Sequence, residues 1–466
     1  MPKLQPQLIR DCSEGVIQDI DNAISPRNSV FLAVNLLFHK KLGRAVLRQG
    51  TTKIGNSLSG KCFGLHHFLP TDTNKKALLS VFGENLYKLD TDTQTWTSTT
   101  AVTKDAKMRF LTFEDRVLAV NGTMALSSED GDTWATTGTT GFDLDNIPKG
   151  NIVSSWKNRV YIAGVSGEPS TLYASSLALD GNISWTDDTA FDITIEPADN
   201  AGAIVGLSKV PGYLLIFKER AIKRWNGQST FPEDLINIGT LSQESIVLAR
   251  QSVFFWNERG VFETQGGYPR KVSRRIQRIV DAVNPQYEVS GWSDKDNVYF
   301  SVGNIYLDDL LIENCVIAYN LDSQVWTALS FPTDFIVWSS YVSGNDKVIT
   351  GDNSGQVWEL FSGVNDNGKD INYRIEWQEQ EFGWRSRIKS LSQFVVFTEK
   401  VNSAELLVKA NEGNYEPIGK VNENVEVLQG NALGNYFKFA LIGSGSSAEI
   451  IGLEITELDL NISQKM

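Results

Sequence analysis

Two repeated patterns predict an all-β chain, a β-propeller of seven blades with six as the alternative. One is a short β-branched or aromatic run entered from a polar turn, found seven times. The other is a turn that ends on tryptophan, found five times. The first is clearest as EDRVLAV around Val117, KNRVYIAG around Val160, KDNVYFSVG around Val298 and NDKVITG around Val348, and weaker at Leu79, Leu214 and Val253. Successive copies lie 38 to 54 residues apart. That is room for four short strands, and a sheet so small cannot bury both faces alone, so copies must stack. An insertion hidden in the longest interval would lower the count to six.

The tryptophan turns are LDTDTQTWTS at Trp96, SSEDGDTWAT at Trp134, LALDGNISWTD at Trp185, YNLDSQVWTAL at Trp326 and GDNSGQVWEL at Trp358. Asp, Asn, Ser and Gly supply side-chain hydrogen bonds or positive φ for a tight turn, and the following Trp and Thr suit a half-buried strand.

Three parts follow along the chain. Residues 1–55 carry no repeat and are interrupted by Pro2, Pro6 and Pro26, so they read as an extended N-terminal arm without which the propeller would still fold. The stretch NSVFLAVNLLFHKKLGRAVLRQGTTKIG reads as two strands, or a strand and a clasp, leading into the repeats. Residues 56–363 form the propeller. Within them VSRRIQRIVDAVNPQ breaks the strand rhythm. It predicts a helix capped by Ser273, with Ile276, Ile279, Val280 and Val283 on one face. After the polar linker GVNDNGKD, residues 364–466 alternate apolar and polar residues over five or six strands and predict a β-sandwich, with Trp377 and Trp384 in its core or at its contact with the propeller.

Composition narrows function. No apolar run of the 466 residues approaches the length of a membrane span, and MPKLQPQLIRDCSEG lacks the apolar core of a secretory leader. Cys12, Cys62 and Cys315 are odd in number and far apart, which predicts free thiols and folding in a reducing cytoplasm. Cys62, His66 and His67 are the one local group of soft ligands, fewer than a zinc site needs, so neither metal nor cofactor is expected. No catalytic residues are nominated, because no nucleophile or acid/base pair stands out.

Net charge is −13, distributed as +4 over residues 1–55 and −17 over the remainder. An acidic body repels phosphates, which opposes tight binding of nucleic acid yet suits a wall past which DNA must slide. Candidate partner contacts are the basic residues Lys40, Lys41, Arg44 and Arg48 of the arm, and Arg270, Lys271, Arg274, Arg275 and Arg278 around the helix.

Two resemblances add to this. Ser127 to Trp134 resembles the Asp-box of sialidase-type propellers, with Glu129 where that family has Asp; there the box marks a hairpin away from the catalytic pocket. The order of parts resembles phage tail hub and nozzle proteins, the packaged-DNA-stabilisation type of short-tailed phages. It comprises an arm, the lead-in GRAVLRQGTTKIG, irregular blades, the VSRRIQRIVDAV interruption and a C-terminal sandwich. Their lead-in often reads Arg-Pro-Gly-Thr, against Arg48-Gln49-Gly50-Thr51 here; PGYLLIFKERAIKRWNG and LSQESIVLARQSVFFWNERGVFE are also similar. The resemblance implies a structural virion protein, assembled in the host cytoplasm as a homo-oligomeric ring, commonly of six. The ring would lie below portal and adaptor, retain packaged DNA until ejection and anchor fibres or spikes. The alternatives are a glycan- or receptor-binding propeller at the tail tip and a sialidase-like glycoside hydrolase.

Overall fold

A computed structural model of the chain describes residues 7–19, 25–26, 28–39, 43–179, 181–196, 200–341, 347–383, 385–422 and 424–460. It is all-β, with one short α-helix, Gln277–Asp281, among the described residues. Seven small antiparallel sheets follow one another between residues 51 and 360. Their second strands are Ala77–Phe82, Arg116–Val120, Arg159–Ala163, Tyr213–Lys218, Ser252–Asn257, Asn297–Leu307 and Lys347–Asp352. Each of the seven repeat positions (Leu79, Val117, Val160, Leu214, Val253, Val298, Val348) falls on one of these second strands, and all are buried. A second strand is sandwiched within its own sheet and between neighbouring sheets, which is why it carries the strongest apolar signal.

First strands adjoin in turn. Cys62–Phe68 lies against Arg109–Phe113, then come Ile152–Trp156, Ile204–Val210, Ile246–Ala249, Ser290–Ser293 and Phe335–Tyr341, and the last also lies against Cys62–Phe68. The seventh sheet takes its outer strand from the N-terminal segment, where Thr51–Ile54 pairs with Val357–Leu360. Local turn chemistry sets the hairpins: Glu114 and Asp115 have φ of 48° and 55°, and Lys157 and Asn158 have 45° and 57°, the paired positive φ of a two-residue connection that follows strand twist.

The C-terminal sequence forms two further layers. One is six-stranded, ordered Leu36–His39, Arg44–Leu47, Glu449–Leu460, Lys389–Glu399 and Val425–Gly434, with Gln7–Arg10 also on Glu449–Leu460. The other continues the sixth small sheet. Its last strand, Trp326–Ser330, is followed by Val30–Val34, then Ile371–Trp377, Phe437–Gly445, Ala404–Ala410 and Tyr415–Val421. Phe394, Val396, Leu453 and Ile455 of one layer share a core with Leu406, Val408, Phe439 and Leu441 of the other. Trp377 is buried in that core, while Trp384 lies outside the described residues.

Residues 1–55 are therefore no free arm. Their described residues contribute five strands, four to the C-terminal layers and one to the seventh sheet. Pro26 falls between Gln7–Arg10 and Val30–Val34, Pro2 and Pro6 lie outside the described residues, and strand partners more than 270 residues away leave no local trace. The 363–370 stretch is likewise no simple linker. Arg48 is fully buried, and Asp366 takes two of its guanidinium N–H groups at 2.9 and 2.6 Å. Nε donates to Asn35 Oδ1, and the remaining two N–H groups go to the carbonyls of Gln49 and Ser330. All five donors are satisfied. Thr51 Oγ1 adds a bond to Asp366 at 3.1 Å, and a Cβ on Gly50 would lie 1.9 Å from the Asn365 carbonyl oxygen. In Arg48-Gln49-Gly50-Thr51 every residue but the exposed Gln49 is thus committed to this docking.

The predicted helix is shorter than its pattern: a 3-10 turn, Arg274–Ile276, runs into Gln277–Asp281. Ile276, Ile279 and Val280 are buried as the spacing predicts. Ser273 does not cap the helix; its Oγ accepts instead from Val261 N at 2.9 Å.

Candidate functional site

Because each first strand lies against the next, residues at their entrances come together although they are distant in sequence. A cavity of about 270 Å³ there is lined by Phe63, His66, Arg109, Phe110, Glu244 and Trp338, among others. Arg109 donates from Nε and Nη2 to Glu244 Oε1 at 2.9 and 2.6 Å. Lys107 pairs with Glu288 and lies 3.8 Å from Glu244. Burial pushes the Glu244 carboxyl up, but Arg109 and Lys107 outweigh it and hold it below its ordinary value. His66 stacks on Phe110 with centroids 5.4 Å apart, and its Nε2 lies 2.7 Å from Thr112 Oγ1. Burial, then His67, lowers its pKa to about 3. Nearby in the chain, Tyr287 donates to Asp334 at 2.5 Å; burial raises the Asp334 pKa against that bond.

None of Lys107, Arg109, Glu244 and Glu288 was singled out from sequence. Each lies eight to ten residues ahead of its repeat position (Val117, Val253, Val298), a regularity that aligning the repeats on one another would expose.

A larger cleft, about 650 Å³, lies where the hairpin tip around Leu310–Glu313 meets the second C-terminal layer. Its lining includes Leu311, Ile312, Tyr373, Ala404 and Ile442. Burial pushes the Tyr373 phenol up to about 12, and its hydroxyl has no hydrogen-bond partner among the described residues. That hydroxyl lies over Gly443, where a Cβ would come within 2.3 Å.

The basic candidates do not form one surface. Lys40 and Lys41 lie outside the described residues. Arg44 bridges Glu399 and Glu449 at 2.9 and 3.0 Å, and Arg48 is the buried anchor already described, which corrects its reading as a partner contact. Charge runs mark solvated faces only when the fold supplies no acid, and here it supplies several. Arg275 pairs with Glu14 at 3.0 Å, Arg278 with Asp308 at 2.6 Å and Arg270 with Glu263 at 2.6 Å. Lys271 bonds Gln277. Arg274, 3.4 Å from Asp19, keeps 86% of its side chain exposed.

In the Ser127–Trp134 turn, Asp130 rather than Glu129 holds the hairpin. Its Oδ1 accepts from Asp132 N and Thr133 N at 2.8 and 2.9 Å. Glu129 pairs outward with Arg116 at 2.9 Å. Cys12, Cys62 and Cys315 are buried free thiols, each raised in pKa chiefly by burial. No helix among the described residues is long and apolar enough to cross a membrane.

No family model matches the chain, and no curated protein matches it. Solved structures similar to it include a chain of the Mitotic Checkpoint Complex, 9% identical with TM-score 0.44, over 68% of this chain and 92% of that one. Another is the extracellular domain of a putative one-component system from B. thetaiotaomicron, 7% identical with TM-score 0.48, over 86% of this chain and 58% of that one. The same bacterium's putative hybrid two-component system gives 10% and 0.46, over 79% of this chain and 47% of that one. The chain thus spans about half the length of these bacterial domains.

Proposed function

We propose that the seven small sheets close into a seven-bladed propeller and that the protein is a structural component of a virion tail, a hub or nozzle subunit beside the DNA channel. The observation that supports the reading is the stitching of its parts. Residues 30–34 join the sixth sheet to the C-terminal layers, Arg48 locks onto Asp366, and Thr51–Ile54 completes the seventh sheet. A subunit that withstands the pressure of packaged DNA must carry load as one piece, and a net charge of −13 keeps passing DNA from adsorbing. The axial cavity has side-chain dimensions and is crossed by ion pairs, so the conduit in this reading runs between copies. A particle map at modest resolution tests it: the chain should occupy a ring below the portal and adaptor, and density at a lateral fibre tip would overturn the reading.

The cleft beneath Leu310–Glu313 favours a second reading, a glycan- or receptor-binding module at the tail tip, because it sets the apolar Leu311 beside the polar Glu313, Glu405 and Lys420 in one concave surface of about 650 Å³. Glycan-array binding abolished by Lys420→Ala would promote it. Turnover is not part of either reading. Glu244 is held ionised between Arg109 and Lys107, below its ordinary value rather than raised as a general acid requires, and Glu129 faces outward onto Arg116. Hydrolysis of a sialoside or capsular glycan that vanishes with Asp334→Asn would overturn that.

A further inference from the structure

The outer face of the six-stranded layer is built unlike a solvent face. Register places Leu8, Glu454, Val395 and Val427 in one row across four strands, and Arg10, Gly452, Phe397 and Val425 in the next. Ser390 and Leu433 extend the same face beside Asp459. Side chains from the alternate positions, Ile9, Leu453, Val396, Phe394 and Leu428, point into the core. A half-buried antiparallel sheet ordinarily alternates apolar inward with polar outward. Here Leu8, Val425, Val427 and Leu433 remain 50% to 54% exposed. Three of those four lie on Val425–Gly434, the terminal strand of its sheet. That strand has ten residues, one charge and no proline, whereas an edge left to solvent is normally blunted by charge, proline or brevity.

The opposite kind of edge occurs on the fifth small sheet. Its terminal strand is the two-residue Arg270–Lys271, flanked by exposed Arg259, Arg274 and a Tyr268 that is 79% exposed. Arg259 has no ion pair among the described residues, and its charge and that of Arg274 both act on Lys271. The acids Glu454 and Asp459 of the apolar face complement this cationic, aromatic surface, and a body of net charge −13 associates with its own kind only through such local complementarity.

We propose that the outer face of the six-stranded layer, ending on Val425–Gly434, packs against the Arg259, Tyr268, Arg270 and Arg274 surface of a second copy of this chain. Two different patches meet, so the contact is head-to-tail and adds copies until rotation closes a ring. The proposal deepens the ring reading above and rests on it for closure, while the pairwise contact is tested without any particle.

The test is sedimentation velocity on the full-length protein. Wild type should associate with rising concentration. Val425→Asp/Val427→Asp and Arg270→Glu/Arg274→Glu, all at exposed positions, should each weaken self-association at least tenfold with unchanged thermal unfolding. Mixed together, the two variants should form a 1:1 dimer and stop there, because each keeps one intact patch. Wild type monomeric at every concentration, variants that associate like wild type, or a mixture that stays monomeric would each overturn the proposed contact. None of these outcomes touches the particle map, which separately decides the ring reading.

Discussion

The seven small sheets and the two C-terminal layers are both largely antiparallel β-structure, with one parallel pair where Val30–Val34 meets Trp326–Ser330, but the layers add to local hairpins many pairings between strands far apart in sequence. In the small sheets successive strands pair across tight turns, as Arg109–Phe113 does with Arg116–Val120. In the layers, Gln7–Arg10 pairs with Glu449–Leu460, and Val30–Val34 sits between Trp326–Ser330 and Ile371–Trp377. Local pairing closes short loops and leaves a sequence rhythm; distant pairing closes long ones and leaves none. The N-terminal segment belongs to both regions, so its loss should show whether they are separate bodies.

Deleting residues 1–55 should have the largest effect. It strips the seventh sheet of its outer strand and the layers of four, exposing long edges, so the truncated chain should be insoluble or lack a cooperative transition. A soluble truncation with native-like circular dichroism and a sharp melt would restore the picture of an independent propeller. Next in size is Arg48→Met. It leaves Asp366 buried without its partner, and breaking a buried pair costs about 3–5 kcal/mol. Denaturant unfolding should show that loss, and a change below about 1 kcal/mol would separate the two regions energetically.

The pH response probes the small sheets alone. His66 is held neutral down to a pKa of about 3, while the unfolded chain protonates near the usual histidine value. The unfolded state therefore binds more protons between these limits, and stability falls as pH drops from about 6.5 toward 3. The side chain is only half-buried, so solvent screening should keep the slope below about 1 kcal/mol per pH unit. His66→Gln should flatten the stability curve between about pH 6.5 and 4; an unchanged slope would show that other groups carry it. The smallest effect is expected from Asp130→Ala, which removes acceptors for two turn N–H groups and should cost about 1 kcal/mol. Glu129→Ala should cost still less, because its ion pair is exposed. Melting temperatures of the two variants in the opposite order would return the turn to Glu129.

How much was legible follows the same division. Val117, Val160 and Val298 announced their strands because a buried second strand between tight turns writes its pattern in consecutive residues. The pair Arg109 and Glu244 stayed hidden, since nothing within either sequence neighbourhood depends on the other. Ser273 misled for a related reason: its hydroxyl satisfies Val261 across the sheet rather than the helix beneath it, and a local rule cannot see a non-local competitor.

By itself, then, the sequence determined strand character, turn positions and the apolar face of Ile276, Ile279 and Val280, because propensity, periodicity and turn chemistry act over a few residues. Tertiary structure alone decided that the first 55 residues are shared between two regions. It also turned Arg48 from a surface cation into a buried anchor, and left Val425, Val427 and Leu433 on an open face. Those outcomes depend on which distant strand supplies a hydrogen-bonding edge or a carboxylate, and that partner is fixed only when the whole chain has closed.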